Sequence, residues 1–548
     1  MKNIALIALF TGILAGQAQA APPVDPIWPT PADAAPSPLD LAGQLAVTFD
    51  APPTAFKLLF NDFKSQTVRD LTRGLPPLTV NLVQDGPRLI PDSARPQVEA
   101  DASFEWIIGP GRIWRGFSGG DTAVIPVALQ ERNANCTHNG HLMLTFDKTG
   151  LAASARVRIA GETCHPLQFD GDWMGSAKIM TKDRSEFAPV LQRDRKSRSV
   201  QLPVQTLDRL AVDVPGLNLQ WLKDAAGDAQ SVSGLVVGGV NYVAPCLTRL
   251  GEDVDCAARA LPSYSLAKSL FAGLGLMRLE RLYPGTAMLK VSDLLADCPG
   301  EGWDDVALID LLDMASGHFQ SSGYEVDEGA LETIPFFDAE TRAGKLSFAC
   351  QAYPRRTLPG KLWVYHTSDT FLLGQAMTAA LRRHDGQQAD LHRDGVAPLW
   401  ARLDPSAYMD TVMRTYDSQA APLTGFGLTM TRDDAARFGQ FLTPGKSELA
   451  QGLLDKTLFE AALQRGGDGQ GLEVGLPRLR YSHGFWARDV SKVLGCSKPV
   501  WTPFLSGYGG ISLVIFPNDV VFYAFGDNNH FDWGQAAKAA NSIKGLCQ

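Results

Sequence analysis

The chain has 548 residues, 45% of them hydrophobic and 20% charged, a balance that excludes a disordered tail, a fibrous repeat and a multi-span membrane protein. Its formal net charge of -9 argues against a non-specific nucleic-acid binder, which would carry a basic surplus. At roughly 150 residues per domain, the length predicts two to four domains with a sizeable core.

The first twenty residues have the pattern of a secretory signal peptide. Lys2 supplies a positive start, residues 4–14 form a mostly apolar run, and Ala18-Gln19-Ala20 is a small-x-small cleavage site. The run is too short to span a bilayer, and no later segment is long and apolar enough to do so. We therefore predict a signal peptide over residues 1–20, a periplasmic or secreted mature protein and no membrane span.

Cysteine usage agrees with export. An even number of cysteines in an exported chain predicts up to four disulfides rather than metal ligands, and no Cys-x-x-Cys pair occurs. Spacing alone does not fix the connectivity. Short intervening segments favour two pairs, Cys136 with Cys164 and Cys246 with Cys256. The remaining cysteines are Cys298, Cys350, Cys496 and Cys547.

The N-terminal part predicts a β-rich accessory domain over residues 21–205. Residues 21–45 are rich in Pro and Ala and predict an irregular lead-in. Short alternating runs follow, with a strand at 122–129 and a hairpin formed by 141–146 and 155–159. We expect one helix, around 53–73. The charged stretch at 193–198 is interpreted as a linker or a solvated edge.

The C-terminal part predicts a second domain over residues 206–548. A strand is expected at 232–237 and two more near the end, followed by a terminal helix. Helical patterns occupy much of the sequence between them. This order is typical of an α+β fold in which helices flank an antiparallel sheet. The predicted helices are 266–282, 306–314, 370–383, 433–442, 448–465 and 534–546, and the late strands are 511–516 and 520–525.

Ser-x-x-Lys occurs once in the chain, at Ser265 and Lys268, where the helix 266–282 begins. Residues three apart share a helix face, so the Lys268 amine can lie beside the Ser265 oxygen. A helix N-terminus also offers backbone N–H groups and a positive dipole to a developing oxyanion. A serine nucleophile needs such a base and such donors. Taken alone the motif is weak, because a solvated Ser and Lys on a helix face is the default alternative.

Four further motifs follow in order. Taken together with the Ser-x-x-Lys, they resemble the serine β-lactamase and penicillin-binding protein superfamily, in particular its class C-like, esterase and 6-aminohexanoate-oligomer hydrolase branch. The resemblance covers about 230–548. The segments that carry it are Ser263–Ser269, Ile309–Gly317, Tyr365-His366-Thr367, Leu372–Gly374 and Ser506–Gly510.

The resemblance implies a β-lactamase-like antiparallel sheet flanked by helices, with a helical subdomain, and a two-step acyl transfer. Ser265 would be the acylated nucleophile, and Lys268 and Tyr365 together would act as the general base. The oxyanion hole would be the backbone N–H groups of Ser265 and Ile511. Other predicted substrate-binding residues are Thr367, Tyr508, Gly509 and Gly510. The resemblance implies no metal and no organic cofactor.

Simple electrostatics indicates whether Lys268 could ionise Tyr365. Ionising Tyr365 near pH 7 requires its pKa to fall by about 3 units, or about 4 kcal/mol. One ammonium about 4 Å away supplies a similar energy at an effective dielectric constant of about 20. Lys268 could therefore ionise Tyr365 in a site that excludes water. Which of the two takes the serine proton stays open, and they should titrate as a coupled pair.

Two departures from the family pattern bear on the substrate. Thr367 replaces the Asn of Tyr-x-Asn, and Tyr508-Gly509-Gly510 stands where β-lactamases carry Lys-Thr-Gly. That Lys helps to hold a substrate carboxylate in the family. We therefore predict a small-molecule ester, amide or peptide substrate that is neutral or bulky at this position. The alternatives are a penicillin-recognising D-Ala carboxypeptidase or β-lactamase, and an inactive binding scaffold; the oligomeric state stays open.

Other motifs are interpreted as structural. The run from Gly116 to Gly120 matches Gly-x-Ser-x-Gly, but that nucleophile turn needs a following helix and a strand is expected instead. Asn135-Cys136-Thr137 is a glycosylation acceptor by pattern only. His318 and His366 are expected to be structural residues near the site. Residues 527–532 are expected to form a polar loop rather than a cation site.

Overall fold

A computed structural model describes residues 28–62, 67–96, 102–116, 120–160, 164–227, 232–249, 251–298, 302–446, 450, 452–465 and 469–547. The predicted signal peptide lies outside these ranges. Among the helices that are described, none is long and apolar enough to cross a membrane.

The N-terminal part is built from antiparallel strands. They alternate buried and more exposed positions over much of their length, as expected where one face packs on a core. The strands are β1 (Ala35–Pro36), β2 (Ala42–Phe49), β3 (Ala55–Asn61), β4 (Leu78–Asp85), β5 (Arg88–Pro91), β6 (Phe104–Ile108), β7 (Gly111–Arg115), β8 (Asp121–Glu131), β9 (Thr137–Phe146), β10 (Ala152–Ala160) and β11 (Leu167–Thr181).

These strands close into a barrel. The pairing runs β7-β5-β4-β2-β11-β10-β9-β8, and β8 pairs back to β7. Strands β1, β3 and β6 extend the pairing along β7, β11 and β8. One apolar core contains the buried rings of Phe104, Trp106, Phe169 and Trp173. We refer to residues 35–181 as the barrel.

One expectation for the N-terminal part is wrong, and of the two interpretations of the charged stretch the linker is excluded. Only Thr67–Arg73 (α1) of the predicted helix 53–73 is helical, because residues 55–61 form β3 and pair with β11 instead. The charged stretch at 193–198 lies within the helix Ala188–Ser199 (α2), where Arg195 and Arg198 pair with acidic residues. The predicted strand at 122–129 and the hairpin of β9 and β10 are confirmed.

A nine-stranded sheet organises the C-terminal region, which we define as residues 204–547. Its order is β12-β14-β13-β24-β23-β22-β21-β20-β19, antiparallel except for β12 with β14. The strands are β12 (Val204–Thr206), β13 (Val232–Val237), β14 (Val240–Val243), β19 (Leu472–Glu473), β20 (Leu479–Ser482), β21 (Phe485–Asp489), β22 (Trp501–Gly507), β23 (Ile511–Ile515) and β24 (Val521–Phe525). Two small ladders pair β15 (Leu247–Thr248) with β16 (Gly251–Glu252) and β17 (Leu261–Pro262) with β18 (Thr429–Met430).

Helices pack around this sheet, so the region is α+β, with the antiparallel sheet and helices that its sequence predicts. The described helices are α3 (Leu207–Asp213), α4 (Gln220–Ala226), α5 (Leu274–Leu282), α6 (Val291–Leu294), α7 (Leu308–Leu312), α8 (Ile334–Asp338), α9 (Arg342–Gln351), α10 (Thr367–Asp385), α11 (Ala397–Trp400), α12 (Arg432–Phe441), α13 (Lys456–Ala462), α14 (Ser491–Leu494) and α15 (Gly534–Ile543). Helix α12 packs across β13, β23 and β24, and α4 packs against α15.

Four disulfides cross-link the chain. The two predicted pairs, Cys136–Cys164 and Cys246–Cys256, are present. The other two are Cys298–Cys350 and Cys496–Cys547, so all eight cysteines are paired. Four disulfides are compatible with an oxidising compartment.

Candidate active site

Ser265 stands on a tight turn between β17 and a long helical segment. The Leu266 N–H donates to the Ser263 carbonyl and the Lys268 N–H to the Ser265 carbonyl, both at 3.0 Å. The helix continues through a π-helical stretch, Lys268–Gly273, into α5. Tyr264, directly before Ser265, has a φ of +41°, a left-handed conformation that costs an ordinary residue about 1–3 kcal/mol. The surroundings must therefore hold this turn in place.

Lys268 lies beside the Ser265 hydroxyl, as the Ser-x-x-Lys spacing predicts. Its Nζ is 3.0 Å from Ser265 Oγ, and it also donates to Thr367 Oγ1 at 2.9 Å and to the Gly425 carbonyl at 3.1 Å. The side chain is buried, which lowers the pKa of Lys268 to about 8 although Glu328 and Glu325 act to raise it. A substantial neutral fraction therefore exists near pH 8, so Lys268 can accept a proton.

Tyr365 reaches the same point from the segment before α10. Its ring centroid lies 4.9 Å from Lys268 Nζ, and its hydroxyl lies close enough to Ser265 for that side chain to act against the rise in the pKa of Tyr365. Burial raises the pKa of Tyr365 well above 10, and Tyr481 and Glu328 raise it further. The sequence-based expectation that Lys268 could ionise this phenol is therefore not met: the cost of burying a phenolate outweighs the nearby amine. Lys268 is the better base, and Tyr365 is a phenol able to donate.

An acidic pair beside Lys268 could not be found from the sequence. The Glu328 carboxylate accepts hydrogen bonds from the Thr367 hydroxyl and, at 2.9 Å, from the Thr367 N–H. Nearby Glu325 is half-buried, and this desolvation together with the charge of Glu328 raises the pKa of Glu325 to about 7. Thr367 thus links Lys268 to Glu328. The only hint in the sequence is that Thr367 departs from the Tyr-x-Asn pattern.

The turn between β22 and β23 also lies against the Ser265 turn, but through a glycine that the sequence analysis did not select. A methyl group on Gly507 would lie 2.7 Å from the Ser263 carbonyl oxygen. A methyl on Gly509 would lie 3.5 Å from His165 Cβ, and one on Gly510 2.8 Å from the His530 nitrogen. Ile511 begins β23 and pairs with Gly507 in the sheet. Gly507 therefore brings the backbone of this turn against the Ser265 turn.

Tyr508 is partly exposed at the edge of this site. Its ring centroid lies 5.7 Å from that of Tyr264 and 5.7 Å from that of His165, which belongs to the barrel. Tyr508 thus places an aromatic ring between two others. Through His165, the barrel therefore contributes a side chain to the edge of the site.

The two histidines interpreted as structural are buried in ring stacks. His318 stacks on Trp303 with ring centroids 4.0 Å apart. His366 stacks on Tyr353 at 4.2 Å, and its Nε2 lies 3.1 Å from Asp327. Burial lowers the pKa of His366, but the carboxylates of Asp327 and Asp369 raise it to about 9. Residues 117–119 of the Gly-x-Ser-x-Gly pattern lie outside the described residues.

Elsewhere among the described residues, two clusters contain side chains of the kind that bind metals. In the cluster that contains Cys136 and Cys164, both sulfurs belong to a disulfide and are not thiolates, so they are poor metal ligands. In the cluster that contains His141, the carboxylates of Asp253 and Asp255 already form ion pairs with arginines. Neither cluster argues for a resident metal. The clusters are Glu131, Cys136, His138 and Cys164, and His141, Asp253 and Asp255.

Several solved structures share a distant likeness with this chain. A protein described as a 6-aminohexanoate-dimer hydrolase from Bacillus anthracis is 16% identical; the match covers 64% of this chain and 89% of that one, with a TM-score of 0.46. A class C β-lactamase is 13% identical over 64% and 95% of the two chains, with a TM-score of 0.39. A family VIII carboxylesterase is 16% identical over 59% and 96%, with a TM-score of 0.38.

No protein-family model matches the chain, and no curated protein matches it by sequence. All three TM-scores lie below 0.5, so these likenesses carry no conclusion about activity or substrate. Proposals about the activity and the substrate therefore depend on the residues around Ser265.

Proposed function

We propose that the protein is an exported serine hydrolase that cleaves an ester or amide bond through an acyl-enzyme on Ser265. The observation that carries the proposal is that Ser265, hydrogen-bonded to Lys268 at the head of a helix, also lies beside Tyr365 from a distant segment. The Ser265 hydroxyl, the proposed nucleophile, lies next to a buried amine of lowered pKa and to a phenol. These are the groups that a nucleophilic serine requires.

In the first step, neutral Lys268 takes the Ser265 proton as Oγ attacks the substrate carbonyl carbon. The developing oxyanion is stabilised by the backbone N–H groups of Ser265 and Ile511, the two donors predicted from the sequence. The bond to the leaving alcohol or amine breaks, and that group is protonated from Lys268 through the Tyr365 hydroxyl. Water then attacks the acyl-enzyme by the reverse proton path and restores Ser265.

A neutral substrate fits the charges around the site. Glu325 and Glu328 lie close to Lys268, and Tyr508 occupies the place of the family's carboxylate-binding Lys. A substrate carboxylate would meet acidic groups instead of a cation, and like charges at this range are unfavourable. The proposal therefore favours neutral esters or amides over penicillins and D-Ala peptides.

Labelling with an alkyl fluorophosphonate tests the nucleophile on the purified full chain. We expect the wild type to be labelled on Ser265, the Ser265→Ala variant to remain unlabelled, and the exposed control Ser199→Ala to behave as wild type. Equal labelling of wild type and Ser265→Ala would remove the nucleophile assignment. An unlabelled wild type would favour the inactive scaffold.

A substrate panel then separates the two enzyme proposals. We expect turnover of neutral acyl esters or amides, and a Tyr365→Phe variant slower by a factor of about 10²–10⁴ because it lacks the phenol that moves the proton. A labelled penicillin that forms a stable or turned-over adduct would instead favour the penicillin-recognising alternative.

A further inference from the structure

We propose that Asn135, in the barrel, is a positioning residue for the nucleophile of the C-terminal region. This inference rests on the proposed function, since it assigns the barrel a part in holding Ser265 for attack. Asn135 lies between β8 and β9, it is almost fully buried, and its side chain leaves the barrel to contact the turn that carries Ser265.

The side-chain oxygen of Asn135 accepts three hydrogen bonds. The donors are the Tyr264 N–H at 2.7 Å, the Gly427 N–H at 3.1 Å and the Ser263 hydroxyl at 3.2 Å. Tyr264 is the left-handed residue directly before the nucleophile. A strained backbone conformation persists only where its surroundings fix it, and the hydrogen bond to the Tyr264 N–H is such a constraint.

The same side chain holds a second segment that serves the base. Asn135 Nδ2 donates to the Leu428 carbonyl at 3.3 Å, and the Ser263 hydroxyl accepts from the Leu428 N–H at 3.1 Å. Two residues before Gly427, the Gly425 carbonyl accepts from Lys268 Nζ. One amide thus joins the turn that bears the nucleophile to the segment that orients the amine.

Asn135 is itself rigidly placed. The Glu131 N–H donates to the Cys136 carbonyl at 2.9 Å within the loop, and Cys136 is disulfide-bonded to Cys164. Asn133 donates to the Phe337 carbonyl at 2.6 Å, anchoring the loop to the C-terminal region. The glycosylation pattern at Asn135 is therefore structural: its amide is buried and already hydrogen-bonded.

The expected effect of losing Asn135 is on the chemical step. A shift of about 1 Å at a reacting atom can cost roughly a hundredfold in rate. Asn135→Leu keeps the shape of the side chain and removes all four hydrogen bonds. Asn135→Asp keeps an acceptor for the three donors and should recover part of the rate.

A matched control is available across the same contact surface. Asn139, also in the barrel and buried, accepts from the Ala260 N–H at 3.1 Å and donates to the Ala260 carbonyl at 2.9 Å. Asn139→Leu therefore breaks barrel hydrogen bonds to the C-terminal backbone without touching the Ser265 turn. It should lower the melting temperature much as Asn135→Leu does.

The experiment measures fluorophosphonate labelling rate, kcat and KM on a neutral ester, and melting temperature for wild type, Asn135→Leu, Asn135→Asp and Asn139→Leu. We expect Asn135→Leu to lower the labelling rate and kcat by roughly a hundredfold with little change in KM. Asn135→Asp should lie between it and wild type, and Asn139→Leu should stay within about threefold of wild type.

Two results would overturn the role of Asn135 while wild type is labelled on Ser265: an Asn135→Leu labelling rate within threefold of wild type, or equal losses in Asn135→Leu and Asn139→Leu. A wild type that is not labelled would overturn the proposed function and this inference with it. The two failures are therefore distinguishable.

Discussion

Replacing Glu328 by Gln should move the pH dependence of the enzyme to lower pH. Gln keeps the shape and an acceptor for Thr367 but removes a negative charge that raises the pKa of Lys268. Lys268 must be neutral to take the serine proton, so activity should rise as pH passes through its pKa, about 8 in the wild type. Removing the carboxylate favours the neutral amine and lowers this pKa.

The size of the shift follows from the geometry. Lys268 Nζ lies 2.9 Å from Thr367 Oγ1, which donates in turn to Glu328. Two unit charges about 5 Å apart at an effective dielectric constant of about 20 interact by about 3 kcal/mol, or about 2 pKa units. Glu325 ionises more readily once Glu328 is neutral and so returns part of the effect. We expect a net shift of about 1–2 pH units.

The assay is kcat/KM on a neutral ester from pH 5 to 10 for wild type, Glu328→Gln and the exposed control Glu332→Gln. The rising limb of Glu328→Gln should lie at lower pH, and that of Glu332→Gln should coincide with wild type. A limb that stays in place, or moves to higher pH, would refute both the electrostatic link and neutral Lys268 as the base.

Three further predictions concern the barrel contact, the Ser265 turn and the disulfides. Burial lowers the pKa of His141, but the carboxylates of Asp253 and Asp255 raise it from 6.5 to about 9. The stability that the charged His141 supplies is therefore full below pH 6.5 and is lost as pH rises through about 9. His141→Asn should therefore show a smaller fall in melting temperature between pH 6.5 and 9 than wild type, and an identical fall would contradict this. Gly507→Ala should slow fluorophosphonate labelling tenfold or more, because its methyl meets the Ser263 carbonyl, whereas Gly452→Ala has open space and should label normally. Denatured, unreduced protein should bind no iodoacetamide by mass spectrometry, and reduced protein should bind eight equivalents; any thiol in the unreduced sample would contradict the pairing.

The sequence predicted the elements whose patterns are strong and local. The strand at 232–237 and the helices near 370–383 and 433–442 have the predicted positions within a few residues. The helix expected over 53–73 fails because residues 55–61 find a partner in β11, far along the chain. Barrel closure likewise depends on the pairing of β7 with β8, which no local pattern reveals.

The candidate site divides in the same way. Ser265 and Lys268 meet because they share a helix face, which spacing alone predicts. Glu328 and Asn135 reach the site from separate parts of the chain, so only the tertiary structure shows their contacts. The pKa of Tyr365 could not be predicted because it depends on burial, which the sequence does not specify.

The centre of the nine-stranded sheet pairs β13, near the start of the C-terminal region, with β24, near its end. Such a pairing joins residues far apart in sequence, and folds dominated by long-range contacts form slowly. During synthesis, the sheet therefore stays incomplete until Phe525 has left the ribosome. A nascent chain that already contains Ser265, Lys268 and Tyr365 still lacks the strand that completes the sheet beside them.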